Sequence, residues 1–142
     1  MRRRTTQRWM LSMVVLLASG GLYWWYVMLS PYGHSLPPDP DGIYLQSRHG
    51  LFAYGTLTSP VVRWVVLGES VPAEAARLEG FRRQGLDLVV APGEYVSGQY
   101  LAVSGPQLRR LDRYERLGSR YTRERHALID GRQAWLYRRI ED

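Results

Sequence analysis

From Trp9 to Leu29 the chain runs for 21 residues without a charge, WMLSMVVLLASGGLYWWYVML. As a helix this run would be roughly 31 Å long, close to the thickness of a bilayer's hydrocarbon core. Trp9 stands at one end and Tyr23, Trp24, Trp25 and Tyr26 gather toward the other, as aromatic rings do at headgroup depth. Arg2, Arg3, Arg4 and Arg8 precede the run, and no basic residue follows before Arg48. The expectation is a basic cytoplasmic tail at 1–8, a transmembrane helix at 9–29, and a remainder outside the cytoplasm. That describes a single-pass inner-membrane protein with a periplasmic or extracytoplasmic domain, and the lipid bilayer as a partner of residues 9–29. Two other readings are a signal peptide processed near Ala18, Ser19 and Gly20, and a buried helix of a folded core. The first would leave LYWWYVML as a mature N-terminus; the second does not suit a run apolar on every face.

Residues 30–47, SPYGHSLPPDPDGIYLQS, carry four prolines and two glycines. Pro37, Pro38 and Pro40 hold the backbone extended and remove donors, which predicts a semi-rigid spacer. The folded domain is then expected over 48–142. A chain of 142 residues has no room for two good domains. Cysteine is absent, which excludes disulfides, thiolate metal sites and a cysteine nucleophile. The net charge of +6 is no sign of nucleic acid, because four arginines lie in residues 1–8 and residues 48–142 set 15 arginines against 11 acids. The arginines at 109, 110, 113, 116, 120, 123 and 125 alternate with Asp112, Glu115 and Glu124, the pattern of a solvated face. No nucleic-acid partner is expected.

The domain reads as α+β: a small mixed, barrel-like sheet of about six strands with two short helices, preceded by the transmembrane helix. Leu51-Phe52-Ala53-Tyr54 forms a short apolar run suited to a buried strand. Ser59-Pro60 opens a first helix that Gly68 stops. Residues 74–91 read as one or two short strands broken at Gly80 and Gly85, and 95–103 as another, bent or bulged at Gly98. Ser104-Gly105-Pro106 opens a second helix over about 106–116. Asp130-Gly131 joins two last strands as a hairpin. His34, His49 and His126 have no metal-ligand spacing, and there is no Walker loop, GxGxxG or GxSxG.

Two features point to chemistry. On the second helix Leu108, Leu111 and Glu115 stand at i, i+3 and i+7, so the apolar stripe ends in a glutamate. Either Glu115 is partly buried, which would raise its pKa toward proton transfer near neutral pH, or the helix end frays and Glu115 turns to solvent, Arg120 or Arg123. In Tyr54-Gly55-Thr56-Leu57 a glycine meets the end of a strand just before a helix start, which allows close backbone approach to a ligand and equally suits an ordinary turn.

LFAYGTL before a proline-led helix, VPAEAARLEGFRR, GQYLAV, LRRLDRYE, YTRE and a DG hairpin ending AWLY together resemble the γ-glutamylcyclotransferase-like (AIG2-like) family over about residues 51–140. The resemblance implies a barrel-like α+β fold and an enzyme that cyclises a γ-glutamyl amide to 5-oxoproline, releasing an amine or amino acid without metal or organic cofactor. It implies that Tyr54, Gly55, Thr56 and Leu57 hold the substrate, that Glu115 is the general acid/base, and that Tyr121 lines the site. Thr58-Ser59-Pro60 and Arg116 depart from the family's pattern, which has glycine frequently after the glutamate. The alternative function is a non-catalytic, membrane-anchored ligand-binding or interaction module on the same fold.

Overall fold

In the computed structural model, residues 2–28 and 33–140 are described. They fall into two compact units, Met1–Ser35 and Leu36–Asp142. The first contains a helix, α1, Arg2–Met28. Its side chains from Trp9 to Leu22 are exposed. The helix forms where expected, but no helix among the described residues is long and apolar enough to cross a membrane. The run lacks charge without being uniformly apolar. Ser12, Ser19, Gly20 and Gly21 interrupt it, and the Tyr23–Tyr26 block carries a polar handle on each ring. This corrects the reading of 9–29 as a transmembrane helix, and with it the bilayer partner, the single-pass inner-membrane placement and the cytoplasmic and extracytoplasmic assignments. Leu29 and residues 30–32 lie outside the described residues.

The second unit holds strands β1 (His49–Ala53), β2 (Ala73–Gln84), β3 (Asp87–Val103), β4 (Tyr121–Ala127) and β5 (Gln133–Arg139). They form one sheet in the order β2-β3-β1-β5-β4. β1 is central, antiparallel to β3 and parallel to β5. Leu51, Phe52 and Ala53 are all buried, which is why this strand reads as a continuous apolar run rather than an alternation. Phe52 belongs to a core with Leu78, Phe81, Leu88, Val96 and Leu136, contributed by four of the strands.

The strand count differs from expectation because only one of the two glycine breaks in 74–91 ends a strand. Gly85, at φ +63°, makes a two-residue turn with Leu86 between the paired Gln84 and Asp87. Gly80, at φ +82°, sits at a bulge where the register shifts between Glu79 and Phe81 while the strand continues. Gly98, by contrast, is not a bulge. It pairs in regular register with Ala76, and a Cβ there would lie 2.5 Å from the Ala53 carbonyl oxygen. The result is a long β2–β3 hairpin whose tip reaches β5, the Arg139 N–H donating to Asp87 at 3.0 Å. The sheet thus curls toward closure.

Helix α2 (Pro60–Leu67) starts at Ser59 and ends on left-handed Gly68, as the sequence predicts. Helix α3 (Gly105–Tyr114) has a capping box: the Gln107 N–H donates to the Ser104 hydroxyl and the Gln107 side chain accepts from the Ser104 N–H. Tyr114 is its last residue, two short of expectation. The compact unit begins at Leu36, ahead of residue 48, and a short 3-10 turn at Ile43–Leu45 packs on α3.

Candidate active site

β1 delivers the apolar run to the centre of the sheet and ends at Ala53, so Tyr54 and the following turn emerge at its C-terminal end. Thr56–Thr58 forms one 3-10 turn before α2 begins. The turn is held from three sides. The Thr58 hydroxyl donates to the Gly55 carbonyl at 2.7 Å, Thr56 Oγ1 and the Tyr114 hydroxyl lie 3.2 Å apart, and buried Arg63 donates from Nη1 to the carbonyls of Leu57 and Thr58. The same Nη1 donates to Gln99 Oε1 on β3 at 2.8 Å. Arg63 is thus a brace beneath the turn, a role the all-apolar neighbourhood VVRWVVL conceals.

A cavity of about 70 Å³ opens against this turn. It is lined by Phe52, Ala53, Tyr54, Gly55, Thr56, Leu57, Leu86, Glu115, Tyr121 and Tyr137. The six residues singled out from sequence, Tyr54, Gly55, Thr56, Leu57, Glu115 and Tyr121, come together there from three separate parts of the chain. Leu86, at the β2–β3 tip, and Tyr137, on β5, were not anticipated. Gly55 has φ −117°, so no left-handed conformation requires glycine here. Its freedom is spatial, since a Cβ on Gly55 would meet no protein atom within 4 Å.

Glu115 is the C-cap of α3, its N–H still bonded to the Leu111 carbonyl at 2.8 Å. The helix therefore stays wound through the glutamate and does not fray into solvent. Burial raises its carboxyl pKa from 4.5 to about 7, against the opposing pull of Arg120. Such a group exchanges a proton readily at neutral pH. Tyr54 is also pushed upward, by burial first and by nearby Asp87 and Glu115 next, and its hydroxyl donates to the Tyr137 carbonyl oxygen.

The chain turns at the residue after the glutamate. Arg116 has φ +54°, the one described non-glycine residue in the left-handed region, which costs an L-residue on the order of 1 kcal/mol. Arg116→Gly is expected to hold or raise the urea midpoint, by up to about 1 kcal/mol of stability. A drop of more than that would show that the arginine side chain, rather than the bend, matters at this position.

Asp112 lies one turn before Glu115's end of the helix and is fully buried. It accepts from the Tyr44 hydroxyl at 2.5 Å, from the Tyr137 hydroxyl at 2.6 Å and from Arg123. Asp112 and Arg123 are not members of a solvated face. The signal was present, because Asp112 is i+4 from Leu108 and shares its stripe with Leu111 and Glu115. Among the described residues no three His, Asp or Glu side chains gather as a metal-ligand set.

The model of the family described as gamma-glutamyl cyclotransferase, AIG2-like, matches residues 51–141. Two solution structures from Arabidopsis thaliana share the fold. One is 26% identical, with 68% of this chain and 71% of that chain covered and a TM-score of 0.57; the other is 24% identical, with 74% and 66% covered and a TM-score of 0.56. A structure titled gamma-glutamyl cyclotransferase is 17% identical over 66% of this chain and 68% of its own, with a TM-score of 0.54, a likeness of fold alone. No curated protein matches the chain in sequence. With the family's pattern running from within β1 through β5, the chain belongs to the gamma-glutamyl cyclotransferase, AIG2-like family.

Proposed function

We propose that the protein cyclises a γ-glutamyl amide to 5-oxoproline, with Glu115 as general acid/base. One observation carries this reading: a half-buried carboxylate whose pKa is raised to about 7 and a braced backbone turn wall the same small cavity. The turn Tyr54–Leu57 holds the γ-glutamyl head, and Tyr121 flanks it. Glu115 takes a proton from the substrate's α-amino group. The freed nitrogen attacks the side-chain amide carbonyl, forming the ring C–N bond. The original amide C–N bond breaks, and the departing nitrogen receives the proton from Glu115. Nucleophile and electrophile belong to one molecule, so holding it folded supplies most of what a bimolecular reaction would lack. The protein needs only to bend the substrate and relay one proton.

Turnover of γ-glutamyl amides by the purified chain tests the proposal. Binding without turnover would favour a ligand-binding module on the same fold. The turn is tested separately by Gly55→Val. An isopropyl group added where backbone approaches the ligand should weaken 5-oxoproline binding at least about ten-fold, while the circular dichroism and melting of the protein change little. A folded Gly55→Val protein that binds 5-oxoproline as the wild type does would remove the turn from the binding site.

A further inference from the structure

We propose that residues 39–45 form a strap whose Tyr44 is a positioning residue for the cavity, acting through Asp112. The strap is built. The Asp39 carboxylate accepts from the N–H groups of Ile43 and Tyr44 at 2.9 and 3.1 Å, and the Ile43 carbonyl meets His49 Nε2 at 2.9 Å. Its backbone lies so close to α3 that a Cβ on Gly105 would fall 2.0 Å from the Tyr44 carbonyl oxygen, so only glycine leaves room there. From this seat the Tyr44 hydroxyl reaches one oxygen of Asp112 while the Tyr137 hydroxyl takes the other. Tyr137 lines the cavity, and its carbonyl anchors the Tyr54 hydroxyl. Asp112 is also three residues before Glu115, on the last turn of the same helix. Tyr44 itself does not line the cavity. The strap therefore sets a cavity wall and the depth of Glu115 from outside, through one shared carboxylate.

The test uses the full chain with two independent variants. Tyr44→Phe removes one hydroxyl and leaves Asp112 two donors, so the fold is retained. Gly105→Ala keeps the hydroxyl and favours the helix, but sterically displaces the strap. Each should lower kcat about five-fold or more, the range in which a packed network couples a distant residue to a site. This kinetic arm rests on the cyclotransferase reading. The other arm does not: the Glu115 carboxyl, followed by carbon-13 NMR, should titrate about one pH unit lower in both variants as water reaches it. The titratable and charged groups facing Glu115 are Tyr54, Tyr121 on β4, Tyr137 on β5 and Arg120, and neither substitution replaces any of them. A shifted titration in a protein inactive on every γ-glutamyl amide would keep the strap and discard the activity. Folded variants with an unshifted Glu115 titration would overturn the strap's role, whatever the turnover.

Discussion

Glu115→Gln is expected to lower 5-oxoproline release by at least about 100-fold, the usual scale for loss of a positioned acid/base. Glutamine keeps the shape and a hydrogen-bonding oxygen but accepts no proton at neutral pH, so the change separates chemistry from packing. Product affinity should move far less, because the Tyr54–Leu57 turn and its Arg63 brace are untouched. The wild-type kcat/KM should fall as pH drops below about 7, where the carboxyl takes up a proton and can no longer act as a base. Stability runs the other way. Glu115 has a folded pKa near 7 and an unfolded one near 4.5, so its contribution is fully present below about 4.5 and is lost as pH rises through 7. The same carboxyl therefore sets opposite trends for activity and stability across one pH window. Near-normal turnover in the glutamine variant would show that another group moves the proton.

Asp112→Ala should produce the largest loss of stability, about 3–5 kcal/mol. The carboxylate is fully buried and answers two tyrosine hydroxyls and a guanidinium that is only 9% exposed. Removing it strands the Arg123 charge in the interior, where it also lies 4.8 Å from the Trp135 ring centroid, and leaves both hydroxyls without an acceptor. Replacing Asp112 and Arg123 together by apolar residues should cost less than the single change, because no charge is then left alone. Chemical denaturation of the two variants measures both effects. A single Asp112→Ala loss below about 1 kcal/mol would mean that water reaches Arg123 and that the network is not closed.

Local signals carried most of the domain and few of its long-range consequences. Ser59-Pro60 and Gly68 bracket α2 because capping is a matter of neighbouring residues, and Ser104 with Gln107 does the same for α3. The apolar stripe brought Glu115 inward for the same local reason. The β2–β3 hairpin is hidden in the sequence because a positive-φ glycine looks alike whether it ends a strand, as Gly85 does, or bulges one, as Gly80 does. Leu86 and Tyr137 reach the cavity only through the curl of the sheet, which no window of the sequence contains. Asp112 and Arg123 looked like solvated charges because their partners, Tyr44 and Tyr137, stand 68 and 25 residues away from the aspartate. The N-terminal run misled for a different reason. Freedom from charge is not the same as high mean hydropathy, which the serines, glycines and polar-tipped aromatics within 9–29 lower.

The product formed from a γ-glutamyl amide tests the central claim most directly. Intramolecular attack by the α-amine predicts 5-oxoproline and free amine in equal amounts, with no oxygen taken from isotopically labelled water. Free glutamate carrying the water oxygen would mean that Glu115 activates water instead. That result would contradict the cyclisation while leaving the cavity in place.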